Sequence, residues 1–219
     1  MQGWSALILA GGAGRRFGSG GSGGKLLADL DGAPVIRRVA ESVVQSGFAE
    51  VLVVTGADDA ALQAALDGLA VRVIHAPRWA EGMAATSREG IGALATDTNG
   101  VFVFLGDMPL VPVGLCAELA VLAEQAGYAA RPRVSGKPGH PAAFTRAAFA
   151  DLMALEGDTG ANALLRQRTD VAYRDTTEIG ALLDIDTPGD LAAATRAWKA
   201  CATSATSDNA TSRGALPKP

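Results

Sequence analysis

Residues 7–27 read LILAGGAGRRFGSGGSGGKLL, an apolar run that breaks into glycine, then Arg15 and Arg16, more glycine and serine, and Lys25. Small residues let main-chain N–H groups close on a phosphate, and consecutive amides form an anion nest. The three cations add charge suited to phosphoryl oxygens as bonds change. A second stretch, VFVFLGDMPLV at 101–111, sets Asp107 just past an apolar run, with Gly106 permitting the turn and Pro109 fixing its exit. A third, LLDIDTPGDL at 182–191, offers Asp184 and Asp186 alternating along a short strand before Thr187 and Pro188 open a helix. Carboxylates at the carboxyl edge of a sheet suit Mg²⁺, which takes oxygen ligands and substrate phosphates. Asp107 and Asp186 are the expected metal ligands.

Spacing separates the kinds of phosphate loop. A P-loop would need glycine at position 19 and Ser or Thr after Lys25, where Ser19 and Leu26 stand. The dinucleotide fingerprint starting at Gly12 would need glycine where Phe17 stands, and the stretch that should supply its acidic residue is helical.

The elements that must position these groups alternate. Strand-like runs at 5–10, 51–55, 71–75 and 101–105 are separated by helical patterns at 33–47, 58–69 and 83–95, and another helix follows at 113–125. Pro34 suits a first helical turn and Gly47 a stop; Val35, Ile36, Val39, Val43 and Val44 line one face. The run at 101–105 is apolar on both faces, as a central parallel strand should be. Short strands follow near 128–131, 142–145 and 171–174, with helices near 147–155, 160–168 and 188–200. This βαβα order predicts an α/β, doubly wound, mostly parallel sheet in a single domain, with ligands at the carboxyl ends of the strands. The domain spans 1–201, its nucleotide-binding half to about 110 and its acceptor-binding half beyond. Residues 202–219, rich in Ala, Ser and Thr, read as a flexible tail.

Composition narrows the classes. Of the 219 residues 48% are hydrophobic, enough for a sizeable core, and a net charge of −4 with mixed signs offers no basic face to nucleic acid. Cys116 and Cys201 are too few for a disulfide framework or a cysteine zinc site. No run reaches transmembrane length, and the chain reads as a soluble cytoplasmic protein with small-molecule partners.

The stretches LAGGAGRRFG, RWAEGMAAT, GDMPLV, GKPGHPAAF, GDTGANALL and DIDTPGDL follow in order from residue 9 to about 191. Together they resemble the MobA-like nucleotidyltransferases, of the nucleotide-diphosphosugar transferase fold, and within them the molybdenum cofactor cytidylyltransferases. The resemblance implies a Mg²⁺-dependent attack by the terminal phosphate of molybdopterin on the α-phosphate of a nucleoside triphosphate, releasing pyrophosphate. It implies that Leu9, Ala10, Gly11, Gly12, Ala13, Gly14, Arg15, Arg16 and Lys25 hold the nucleotide, with Thr55, Gly82, Met83 and Thr86 beside it. Arg16, Lys25 and Asp107 are then the catalytic candidates, and Gly139, His140, Pro141 and Asp158 the acceptor site. A molybdoenzyme or its chaperone would receive the product. LAGG is usual in the guanylyl branch, whereas EGM at 81–83, GHPAAF and GDTGA look like the cytidylyl branch, so CTP is the expected donor and GTP the alternative. The chain departs from the pattern at Gly24, where other branches with long spacers carry proline before the lysine. It departs again at Ala76, where asparagine is frequent, and at Asn162, where arginine is usual.

His140 is read as a wall of the acceptor pocket, His75 as structural or near the base, and Trp79 as a loop anchor. Rival functions are transfer to a sugar or alcohol phosphate, a non-catalytic cofactor-binding chaperone, and a nicotinamide oxidoreductase.

Overall fold

The structure, a computed structural model, describes residues 1–12, 17, 24–157 and 160–211, the last ten as backbone only. Strand β1 (Trp4–Ala10) leads through helix α1 (Val35–Gln45) to β2 (Glu50–Thr55), and through α2 (Asp59–Ala65) to β3 (Arg72–His75). Helix α3 (Met83–Gly92) then returns the chain across the sheet to β4 (Gly100–Leu105). β1 pairs with β2 on one side and β4 on the other, and all of these pairings, with β2–β3, are parallel. After α4 (Cys116–Ala126) come β5 (Ala129–Val134), β6 (Lys137–Pro138), β7 (Ala142–Thr145), α5 (Phe149–Met153), α6 (Ala161–Arg166), β8 (Val171–Asp175) and α7 (Pro188–Thr211). The sheet has eight strands in the order β3-β2-β1-β4-β7-β5-β6, with β8 also on β5. β7 runs antiparallel to β4 and β5, so the sheet is mixed but mostly parallel.

Period-two alternation sorts the core into two layers. Ala6, Ile8, Ala10, Val53, Phe102 and Phe104 face α1 and α4. Leu7, Leu52, Val54, Val101 and Val103 face α3, α5 and α6. In α1 the buried residues Val35, Ile36, Val39, Ala40 and Val43 recur at helical spacing, and Gly47 at φ 71° ends the element as its sequence position requires.

Three departures from the sequence reading have local causes. Residues 183–186 form no strand, because their backbone donors bond elsewhere: Ile185 N–H to the Asp107 carbonyl at 3.0 Å and Asp186 N–H to the Asp190 carboxylate at 3.2 Å. β6 is a two-residue exposed strand with too little apolar pattern to read. The last helix continues to Thr211, past residue 200.

Candidate active site

The strand order reverses between β1 and β4, and that switch point brings the loop after β1 and the loop after β4 together. The Gly106 N–H donates to the Leu9 carbonyl at 2.9 Å, tying the two strand ends. Gly11 leaves β1 directly against α3: a Cβ there would lie 2.6 Å from Thr86 Oγ1. Gly56 lies as close, its Cβ position 2.5 Å from the Gly11 carbonyl oxygen and 2.9 Å from the Trp79 ring. The Trp79 ring therefore lies against the turn that follows β2. Gly82, at φ 115°, opens α3 in a conformation that favours glycine, and Met83 follows it half-exposed. Thr55 is fully buried at the end of β2, with its hydroxyl on the Asp59 carboxylate, which also lies 3.8 Å from His75 Nδ1.

Asp107 stands where β4 ends. Lys25 Nζ sits 2.5 Å from Asp107 Oδ2 and 2.5 Å from Asp186 Oδ1, joining the glycine loop to two distant parts of the chain. The Ile185–Asp107 backbone bond sets 184–186 against this pair, and Thr187 and Asp190 cap each other at the start of α7. Asp184 joins them: ligand oxygens of Asp107, Asp184 and Asp186 all lie within 4.8 Å of one another. Asp184 is the site residue that the reading of the sequence passed over, although two positions apart on an extended segment is the spacing that puts both carboxylates on one side.

The electrostatics leave room for another cation. Burial pulls the Lys25 ammonium down, but the charges and hydrogen bonds of Asp107 and Asp186 outweigh it, and its net shift is upward. Asp107 is shifted upward too, by burial first and by the charge of Asp184, against the help of Lys25. One of its oxygens, Oδ1, is buried with no hydrogen-bond partner. An orphaned carboxylate oxygen among three acids fits a hard divalent cation.

Gly139, His140 and Pro141, expected from the sequence at the acceptor, form the turn between β6 and β7, with a cis His140–Pro141 peptide. The His140 N–H donates to the Ala181 carbonyl at 2.8 Å, and a Cβ on Gly139 would meet that carbonyl at 2.5 Å. Arg131, buried on β5, donates through Nε and Nη2 to the Gly139 carbonyl at 2.9 and 2.8 Å, and through Nη1 to Asn162 Oδ1 at 2.6 Å. Burial foremost pulls the Arg131 guanidinium down to about 10. His140 falls to about 4, through burial first and then the charge of Arg131, so its imidazole is neutral at pH 7. Beside it lies a cavity of about 60 Å³ between the sheet and α3, α5 and α6. Ala13, Gly14, Arg15, Arg16 and Asp158 lie outside the described residues.

Residues 6–172 match the MobA-like NTP transferase domain. The chain belongs to that family. It is 32% identical over 174 residues to nicotine blue oxidoreductase of Paenarthrobacter nicotinovorans, covering 75% of this chain and 82% of that one. A shorter match, 37% over 108 residues, links 48% of the chain to 41% of 3-deoxy-manno-octulosonate cytidylyltransferase of Idiomarina loihiensis. Among solved structures Rv0371c of Mycobacterium tuberculosis superposes with a TM-score of 0.75 at 24% identity, over 88% of this chain and 97% of that one. Its complex with manganese superposes at 0.70 and 25% identity, with the same shares of each chain covered. The fold is that of the nucleotide-diphosphosugar transferases. No helix among the described residues is long and apolar enough to cross a membrane.

Proposed function

We propose that the chain transfers a cytidylyl group from CTP to the terminal phosphate of molybdopterin, releasing pyrophosphate, in a Mg²⁺-dependent reaction. The observation that carries this reading is the convergence of Lys25, Asp107, Asp184 and Asp186 at the switch point, beside the glycine loop. A pure nucleotide carrier has no need of such an acid set at the sheet edge.

Asp107, Asp184 and Asp186 would hold the cation, which would supply positive charge to offset that of the phosphates. The chain's own residues supply the rest. Gly11 and Gly12 present main-chain N–H groups to phosphate, and Lys25 adds positive charge where the leaving pyrophosphate gains negative charge. An oxygen of the acceptor's phosphate forms the new bond to the α-phosphorus as the bond between the α- and β-phosphates breaks. A phosphate monoester is already a nucleophile, so no general base is required. Orientation alone can be worth up to about 7–11 kcal/mol. CTP is preferred to GTP because EGM, GHPAAF and GDTGA have the cytidylyl form and a partial relative is a cytidylyltransferase.

The test is pyrophosphate release with molybdopterin as acceptor, comparing CTP, GTP, ATP and UTP with and without Mg²⁺. Strong release with CTP supports the reading. Release with GTP alone moves the donor to guanylyl, and none with any nucleotide removes molybdopterin as acceptor. Asp107→Asn is expected to fold normally and to lose at least 100-fold in turnover; near wild-type turnover would remove Asp107 from the mechanism. A second reading, a nicotinamide oxidoreductase, is kept because the relative that matches most of the chain is called an oxidoreductase. It calls for nicotinamide oxidation in place of pyrophosphate release.

A further inference from the structure

Lys25 has two places to be. Its Nζ lies 2.5 Å from Asp107 Oδ2 and 2.5 Å from Asp186 Oδ1, among the acids that suit a divalent cation. The transfer reading needs its charge on the phosphates instead. The two positions exclude each other once a cation binds. Mg²⁺ takes oxygens at about 2.0–2.1 Å, so an ion on either of those two oxygens would lie within about 4.6 Å of Nζ. That is well inside the screening length of about 8 Å at physiological salt, and the like charges repel.

The ammonium is also an incomplete substitute. It brings one charge to three carboxylates whose ligand oxygens gather within 4.8 Å of one another. Asp107 Oδ1 stays buried with no hydrogen-bond partner. A divalent cation brings twice the charge and a full octahedron of oxygen contacts.

The backbone of Lys25 is fixed and its side chain is not. Leu26 is buried in the layer that faces α1 and α4, its Cδ2 3.4 Å from where a Cβ on Gly106 would stand, and the Lys25 carbonyl accepts the Ala28 N–H at 3.4 Å. Beyond that anchor stands a flexible four-carbon stem. Its destination is close. Leu9 and Leu105 are register partners on β1 and β4, so Gly11 and Asp107, each two residues further on, leave neighbouring strand ends. Paired strands lie about 4.8 Å apart, so a phosphate at the glycine loop competes with the acids for the same ammonium.

We propose that Lys25 is an exchangeable counter-ion, its ammonium filling the cation position while the site is empty and passing to the triphosphate when the nucleotide arrives. Lys25 thereby holds the acids together without a metal and weakens the binding of a cation that comes alone. Cation and nucleotide then favour each other's entry, by an equal factor in both directions. The inference rests on the reading that the acids take a divalent cation and the glycine loop a triphosphate.

The test follows Mn²⁺ on the full chain through the electron paramagnetic resonance of the free ion. Without nucleotide, Lys25→Met, which loses the charge and keeps the apolar stem, is expected to bind Mn²⁺ at least tenfold more tightly than wild type. Lys25→Arg, which keeps the charge, should stay within threefold of wild type; tightening as large as that of Lys25→Met would show that the charge is not the cause. Cytidine 5′-(α,β-methylene)triphosphate, whose bridging carbon blocks transfer, should tighten Mn²⁺ by a factor at least tenfold larger in wild type than in Lys25→Met. Chelation by the nucleotide is common to both proteins, so the ratio isolates Lys25. A measurement on wild type alone guards against a variant that does not fold. Labelling of Lys25 by acetic anhydride, read by mass spectrometry against Lys137 and Lys199, should quicken at least threefold from chelator to saturating Mn²⁺. Mn²⁺ binding no tighter in Lys25→Met than in wild type overturns the proposal, as does Mn²⁺ uptake that leaves the labelling of Lys25 unchanged. No Mn²⁺ uptake by either protein overturns it too. Pyrophosphate release without exchange at Lys25 would leave the transfer reading standing and this inference fallen; exchange without release would do the reverse.

Discussion

Lys25 makes two close ion pairs, and their consequence is measurable without turnover. Removing it takes away the ammonium that lies between Asp107 and Asp186, whose ligand oxygens also lie within 4.8 Å of Asp184. Lys25→Ala is therefore expected to lower stability by about 1–3 kcal/mol in the absence of divalent ions. Millimolar Mn²⁺ should restore the melting temperature, while catalysis falls; a variant as stable as wild type in chelator would show the pairs contribute nothing. His140 makes a separate statement through pH. Its folded pKa, about 4, lies below the ordinary value of 6.5, so the unfolded chain binds the extra proton first. The sign is fixed: the stabilisation is complete above about pH 6.5 and is lost as the pH falls towards 4. Between pH 7 and pH 5 this amounts to about 2 kcal/mol at 1.36 kcal/mol per unit. Urea melts of wild type and His140→Leu should differ in their acid sensitivity by that order, and parallel curves would remove His140 as the cause.

At the scale of elements, α3 lies hard against the sheet at Gly90. A Cβ at Gly90 would run into Leu7 Cδ1, with Leu7 Cδ2 at 2.8 Å and Val54 Cγ2 at 2.9 Å, and both residues are fully buried. Helix propensity favours alanine over glycine by about 1 kcal/mol, but overpacking a closed layer costs about 1–3 kcal/mol. Gly90→Ala is expected to be net destabilising, with a melting temperature lower by about 2–6 °C; a rise would show that the sheet gives way. The elements that the sequence made legible are those with strong periodicity: the four parallel strands with apolar runs, and α1 with five buried residues on one face. Asp107 was legible for the same reason, since it follows the most apolar strand. Residues 183–186 were not. Their alternation imitates a strand, and a long-range bond to Asp107 together with a local one to Asp190 decides that their donors leave the ladder. The Arg131–Gly139 clamp was equally hidden, because nothing local in the sequence tells a buried arginine from a surface one.

Across the whole molecule, α7 packs through Leu191, Ala194 and Trp198 onto Leu30, Val35 and Ile185. Arg38 lies over the Trp198 ring at 5.4 Å, and Lys199 reaches Asp31 at 3.4 Å. Trp198→Ala should therefore cost about 1–3 kcal/mol. Chemical denaturation of the variant beside the wild type checks this, and an unchanged midpoint would show that the packing of α7 contributes nothing. The bond from Ile185 N–H to the Asp107 carbonyl has a different reach. The family match ends at residue 172, before Asp184 and Asp186, and those acids leave the ribosome long after Asp107. A product cut short by a premature stop can carry the glycine loop and the parallel strands yet lack two of the three carboxylates. On the proposed reading such fragments are silent rather than partly active, and activity itself certifies that nearly the whole message has been read.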